Sequence, residues 1–437
     1  QARCGARTLC WLTTVCDTEG TLPFRVPKGR RMYYRFHRRR LLRVAAGGAL
    51  ALAGRQGLAW PADADASMLV SGKDSRLIVH NTKTLELETP LELLREYSVT
   101  PKKVLFVRNN QELADTRSTK PLKVDDWQFD IVGMVENPRT VDLARLRTME
   151  QTEVEMVLQC SGNGRANFYK TAPAKGAPWR EGAVANVRFR GVKLKTLVDA
   201  LDLNIAPDAH YLTAEGKDGP PKPADADFEH SIPLDDALAR SIVALELNGE
   251  PIPAVHGGPL RLVTPGYYGT MQIKWLSRLR LETRETFNHH QRRRYRTPRQ
   301  PIEPGSEFAY DFDNSEANWR MRIKSTIFAP LDGEKIEAGE VAVRGVAFND
   351  GEVKIDAVEL SIDDGRTWRQ TELERPGSPY AWYPWSTTVN LEPGRQCLMA
   401  RAVDALGRTQ PLDGAIGWNP AGYGWNGVHR VEVRVTG

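Results

Sequence analysis

The run Val154-Glu155-Met156-Val157-Leu158-Gln159-Cys160-Ser161-Gly162-Asn163-Gly164-Arg165 decides how this chain is read. Residues 154–159 are apolar-rich and β-prone, so a strand is expected there. The strand delivers a thiol into a turn of small residues. Gly162 and Gly164 let the backbone approach a bulky ligand closely. Arg165, five residues beyond the cysteine, is placed to lower the thiol pKa and to hold an anion. Three roles remain open to such a thiol: metal ligand, inert buried residue, or nucleophile. A nucleophile needs a base, and no neighbouring motif supplies one.

The other cysteines narrow the chemistry. Of the five, Cys4, Cys10 and Cys16 precede any plausible folded domain, which leaves Cys160 and Cys397 in the body. There is no CxxC pair and no CxxCH, which disfavours zinc ribbons, redox dithiols and c-type haem attachment. A Cys160–Cys397 disulfide is open in an oxidising compartment. The net charge of +5 is mild for 437 residues and concentrates in short runs such as Arg38-Arg39-Arg40. Such runs suit export signalling or a solvated face better than nucleic-acid binding.

The first Met is Met32, and initiation there is the expectation. Basic residues 37–43 are followed by the apolar stretch 44–53, then by small-residue cleavage candidates at 62–66. This is the layout of an export signal. Arg38-Arg39 before Leu41-Leu42 resembles a twin-arginine signal, which implies a periplasmic destination. The apolar stretch falls short of the roughly 20 residues that span a bilayer, so no membrane span is expected.

Residues 1–66 are thus set aside as upstream segment and signal. Residues 67–300 are expected to form a mixed α/β domain: β-prone runs at 127–132, 154–159 and 260–263 alternate with helical stretches at 141–148 and 195–201. Pro298, Pro301 and Pro304 mark a connector. Residues 301–437 are expected to be all-β, with period-2 runs at 340–346, 357–362, 397–403 and 431–435. Asp363-Asp364-Gly365 and Glu392-Pro393-Gly394 are turn chemistry. Strands of this length and number suggest an immunoglobulin-like sandwich, making the whole an α+β chain.

Leu158-Gln159-Cys160-Ser161-Gly162-Asn163 resembles the molybdenum-ligand segment of the sulfite oxidase family. The resemblance continues in order: Phe106-Val107-Arg108-Asn109-Asn110, then Lys175-Gly176 and Trp179, then His256-Gly257-Gly258-Pro259-Leu260-Arg261. Lys274-Trp275-Leu276, Gln291-Arg292-Arg293-Arg294-Tyr295 and, in the tail, Trp418-Asn419 and His429-Arg430-Val431 follow. One such hexapeptide is moderately specific; several in order are strong.

The resemblance implies a molybdenum cofactor held through molybdopterin, with the soft thiolate of Cys160 as the protein's ligand to the metal. It implies that Arg108, Arg165 and Tyr295 face the substrate, since guanidinium forks match small oxyanions. Asn109, Asn110, Asp218, His256, Arg261 and Lys274 would hold the pterin or its phosphate. The implied reaction is sulfite oxidation to sulfate, and the tail would be a dimerisation domain forming a homodimer. No cytochrome b5-like segment is visible, so electrons are expected to pass to a separate partner, a c-type cytochrome.

Three positions depart from the animal pattern. Asn110 stands where animal sulfite oxidases carry His, Arg294 where they carry an acidic residue, and Ala421 where they carry a substrate-binding Arg. The substrate is therefore less constrained than the cofactor. The same cofactor could serve a sulfane-sulfur dehydrogenase or a reductase of nitrate or S-oxides. A non-catalytic binding module, the competing class, predicts no metal.

Overall fold

In the computed structural model, which describes residues 65–220 and 226–437, the cysteine strand spans Thr152–Gln159. The expected signal and initiation site lie outside the described residues. The strand pairs antiparallel with Val184–Lys193, with Val154 opposite Phe189 and Gln159 opposite Val184. Ile242–Leu247 extends this sheet, and Arg261–Val263 and Glu250–Pro251 pair on its far side. The last four residues of the cysteine strand are all buried. Met156 and Leu158 enter one apolar cluster and Val157 another, so the strand is covered on both faces there. That explains a continuous apolar run rather than alternation.

A second five-stranded sheet runs in the order Arg139–Asp142, Gln128–Gly133, Leu276–Glu282, Tyr211–Gly216, Glu229–Pro233. Its centre is mixed: Leu276–Glu282 is parallel to Gln128–Gly133 and antiparallel to Tyr211–Gly216. Helices Leu143–Thr148, Leu194–Ala200 and Leu234–Arg240 bury Leu143, Leu194, Leu197 and Leu234 against it. The helix expected from residue 141 begins two residues later. Val141 is a strand residue paired with Phe129, and Asp142 caps the helix by accepting from Arg145 N at 2.7 Å. A β-branched side chain beside a sheet edge fits the ladder better than a helix, and Asp is a preferred N-cap.

The carboxy-terminal half is a sandwich of two sheets. One orders Lys324–Ala329, Gly339–Phe348, Tyr383–Leu391 and Glu372–Leu373; the other orders Lys335–Glu337, His429–Thr436, Gly394–Asp404, Ile355–Ser361 and Arg369–Gln370. Every second residue of His429–Thr436 is buried from Val431 on. Val431, Val433 and Val435 meet Trp385, Val389 and Leu391 of the facing sheet in a shared core. This is the α+β arrangement expected, with fewer and shorter helices.

The halves are stitched together. Arg296–Pro298 pairs with Ser315–Ala317, and Val157, Val184, Phe328, Val346 and Trp382 share one apolar cluster. Cys160 and Cys397 are both free thiols, so the disulfide left open by the sequence is not formed. Among the described residues, no helix is long and apolar enough to cross a membrane.

Candidate molybdenum site

Cys160 continues the ladder of its strand, its N–H donating to Ala183 O at 2.9 Å, before the chain turns. Its side chain is buried, and Sγ accepts from Gly162 N at 3.4 Å. Burial pushes the thiol pKa up, while Arg108 and Arg165 pull it down. Burial wins for the protein alone, so the lowering expected from Arg165 is present but outweighed. A metal would take the thiolate and release the proton.

The glycines of the turn also make room for neighbouring side chains. A Cβ at Gly162 would sit 2.5 Å from Arg165 Nη2. Gly164 has φ +85°, and a Cβ there would lie 2.4 Å from a Trp425 ring atom. The turn is small enough for Arg165 and Trp425 to pack against it. Arg165 is pinned by Nε donating to Ala421 O and Nη1 to Ala177 O, both at 2.8 Å.

Cys160 lies on the wall of a cavity of about 680 Å³, counting its open mouth. Arg108, Asn109, Asn110, Asp218, His256, Arg261, Lys274 and Tyr295 line the same cavity. Arg165, the remaining sequence-predicted residue, stands behind this lining. Its guanidinium lies 5.3 Å from the centre of the Tyr423 ring.

Arg108 is held in place by donating to Asn109 O and Asn110 Oδ1, and it pairs with Glu86 at 3.3 Å. Burial opposes its charge, yet Tyr295, Glu86 and Cys160 keep it protonated. Asn110 Nδ2 donates to Tyr295 Oη, and Arg108 Nη2 lies 3.4 Å from the same oxygen. Tyr295 takes φ +48°, an uncommon backbone for a bulky residue, and Asn318 N donates to its carbonyl at 2.8 Å. Strain of this kind persists where surroundings over-determine a residue. In the run just before Tyr295, Arg292 and Arg293 pair with Asp311 at 2.8 and 3.0 Å.

The far side of the cavity is cationic and desolvated. Lys274 Nζ donates to Asn109 Oδ1 and to Val255 O. Burial lowers Lys274 well below the ordinary lysine range, and brings Arg261 down to about 10. Asp218 is pushed up to about 8 by burial. Sequence reasoning missed Lys73, which is fully enclosed and donates to Lys102 O and Leu105 O at 2.6 Å. Its Nζ also lies 2.8 Å from His256 Nε2. Burial drives Lys73 well below the ordinary lysine range, and burial together with Lys73 drives His256 well below the ordinary histidine value. No local pattern marks Lys73 as anything but a surface lysine. Gln111, Thr270 and Gln272 were missed for the same reason and also line the cavity.

Does a molybdopterin group fit these residues? Among the described residues no group of three His, Cys, Asp or Glu side chains could hold a metal. A metal bound at Cys160 must therefore bring its other ligands, as a dithiolene does. Four buried polar atoms on the cavity lack partners: Gln111 Oε1, Ser161 Oγ, Asp218 Oδ1 and Gln272 Oε1. Buried polar atoms are normally paired, and a heterocycle rich in N–H groups would pair them. Arg261 and Lys274 present buried N–H donors suited to a phosphate, with the uncharged His256 beside them. The residues fit the group.

Comparisons with known proteins agree. Residues 117–290 match the oxidoreductase molybdopterin binding domain, and residues 315–436 the Mo-co oxidoreductase dimerisation domain. The chain is 32% identical over 371 residues to the mitochondrial sulfite oxidase of Rattus norvegicus, covering 82% of this chain and 66% of that protein. It is 31% identical over 385 residues to the sulfite oxidase of Gallus gallus, covering 85% of this chain and 81% of that one. It thus spans just under two-thirds of the length of the mammalian relatives it matches. In fold it is similar to the sulfane dehydrogenase SoxCD of Paracoccus pantotrophus, with a TM-score of 0.69 at 24% identity over 87% of this chain and 93% of that one. Motifs, cavity and relatives converge: the chain belongs to the sulfite oxidase family of molybdenum-dependent oxidoreductases, and its cofactor is molybdenum held by molybdopterin.

Proposed function

We propose that this protein oxidises sulfite to sulfate and passes the electrons to a separate acceptor such as a c-type cytochrome. It acts as an exported, periplasmic homodimer, with the catalytic domain ending near residue 300. The observation that carries the reading is the placing of two guanidinium groups about Cys160: Arg108 lines the same cavity, and Arg165 packs against Gly162, whose N–H donates to Cys160 Sγ. A permanent pair of cations beside a buried metal ligand suits a small dianion. The dimer is supported by the match of residues 315–436 to a dimerisation domain.

When bound, the molybdenum group supplies a transferable oxygen and a sink for two electrons. The protein's own residues do the rest. Arg108, held by Asn109 O, Asn110 and Glu86, keeps its charge and offers it to the anion without reorganising. Such preorganised charge in a water-poor site is the main catalytic asset of a protein of this kind. Tyr295 Oη already accepts from Asn110, so its own proton is free to be donated into the cavity. Arg261 and Lys274, beside His256, offer N–H donors to an anionic group at the opposite end.

The test is steady-state turnover with sulfite and ferricyanide, then cytochrome c, for wild type and Cys160→Ser. Wild type is expected to turn over; the variant is expected to be inactive with its fold intact. Molybdenum-loaded wild type that reduces neither acceptor would overturn the reading. One observation favours a second substrate, another sulfur compound or oxyanion such as nitrate or an S-oxide. Ala421 offers Arg165 only a backbone carbonyl, so the pocket has no third cation from that position. Turnover with nitrate or an S-oxide and a reduced dye, without sulfite turnover, would establish that reading instead.

A further inference from the structure

The loop at residues 418–428 belongs to the all-β half but lies across the Cys160 turn. Gly424 N donates to Ser161 O at 2.8 Å, and Lys175 N to Pro420 O at 2.7 Å. Trp425 packs edge-on to Phe168, with ring centres 4.9 Å apart. Within the loop, Asn419 is fully enclosed and clamps Tyr423 from both sides. Its Oδ1 accepts from Tyr423 N at 3.1 Å and its Nδ2 donates to Tyr423 O at 2.9 Å. The backbone of Tyr423 is thus fixed relative to Cys160.

The side chain of Tyr423 is only 9% exposed. Its ring stacks on Tyr295, with centres 5.3 Å apart and planes 20° from parallel. The Arg165 guanidinium sits 5.3 Å from the same ring centre. Burial pushes its pKa above the ordinary tyrosine value, with Arg165, Arg108 and Arg294 as the cations that act on it. The group therefore stays a neutral O–H donor among the two arginines of the site. Of the polar side chains that touch Arg108, Asn110 is engaged with Tyr295 and Glu86 with Arg108 itself. Among the described residues the Tyr423 hydroxyl has no hydrogen-bond partner. Its O–H is thus free to donate to a group brought into the site.

We propose that Tyr423 is a substrate-binding residue, its hydroxyl donating to the oxyanion that Arg108 and Arg165 hold. The all-β half then contributes a side chain to the pocket, and not only a surface for a second subunit. The contribution is neutral, so it orients the anion and sets the pocket's size without adding charge. This rests on the reading of the site as an oxyanion pocket.

Tyr423→Phe in the molybdenum-loaded enzyme keeps the ring stack and removes one oxygen. Two measurements are needed: sulfate binding by titration calorimetry, and sulfite kinetics. The dissociation constant for sulfate and the KM for sulfite are each expected to rise roughly 10-fold or more, the loss of a hydrogen bond to a charged group. The KM is expected to move further than kcat, with molybdenum content and circular dichroism as in wild type. If wild type binds sulfate and the variant binds it within about twofold, the role assigned to Tyr423 falls while the oxyanion pocket stands. If loaded wild type binds no sulfate and does not oxidise sulfite, the pocket reading fails and this role with it. A variant that loses molybdenum or its native circular dichroism also overturns the proposal, because Tyr423 would then be structural.

Discussion

Arg165 is the residue on which the anion pocket turns, and its position is set by what Gly162 lacks. A methyl group at Gly162 would lie 2.5 Å from the guanidinium, which cannot step aside without giving up Ala421 O or Ala177 O. Gly162→Ala is therefore expected to raise the KM for sulfite by roughly 10-fold, the scale of one lost charged hydrogen bond, while molybdenum stays bound at Cys160. Steady-state kinetics with metal analysis check this; an unchanged KM would show that Arg165 is not set by the turn. Lys73 makes a parallel case at the cofactor end. Its Nζ lies 2.8 Å from His256 Nε2 and so fixes the orientation of that ring at the cavity wall. Lys73→Met is expected to lower the molybdenum retained after dialysis against a chelator. Wild-type retention would reduce Lys73 to a packing role.

Among the elements, the loop at 418–428 carries most weight for its size. Asn419 makes four side-chain contacts: to Gly417 O, to Tyr423 O, from Tyr423 N, and from Tyr310 Oη at 3.3 Å. Asn419→Ala would strand buried partners and is expected to cost roughly 2–3 kcal/mol and to weaken sulfate binding as Tyr423→Phe does. Thermal unfolding and calorimetry check both. A lower melting temperature with unaltered sulfate binding would uncouple the loop from the pocket.

These elements also show what a sequence can carry. The Thr152–Gln159 strand was legible as a continuous apolar run, because it is covered on both faces, and His429–Thr436 as a period-2 alternation, because it is covered on one. Cys160, Arg108 and His256 were legible because each sits in a short run with a recognisable order of residue types. Lys73 and Tyr423 were not. Each is brought to the site by a contact with residues more than a hundred positions away, and local pattern holds no trace of such a contact. The packing of Arg165 against Gly162 was hidden for a related reason, since local pattern does not show which side chain folds back on a turn.

The whole molecule behaves as two folds interlocked at the site. Arg165 reaches Ala421, Trp418 Nε1 donates to Ala172 O at 3.0 Å, and a mixed apolar cluster joins the sheets. Scanning calorimetry of the loaded protein is accordingly expected to show one cooperative transition. Two resolved peaks would mean the halves unfold independently.

Asp218 gives the cofactor-free protein a distinctive pH dependence. Burial raises its pKa to about 8, so the folded chain holds a proton that the unfolded chain has already lost near pH 4. Between these values the native state binds more protons, and stability must fall as pH rises, by up to about 1.4 kcal/mol per unit. Asp218→Asn is expected to flatten denaturant midpoints between pH 5 and pH 8. An equal slope in both proteins would place the proton elsewhere.

The central claim is that Cys160 is the protein's own bond to molybdenum, and X-ray absorption at the molybdenum edge tests it most directly. In Cys160→Ser loaded with the cofactor, the metal is expected to show one sulfur neighbour fewer than in wild type. Identical sulfur counts in the two proteins would contradict the account.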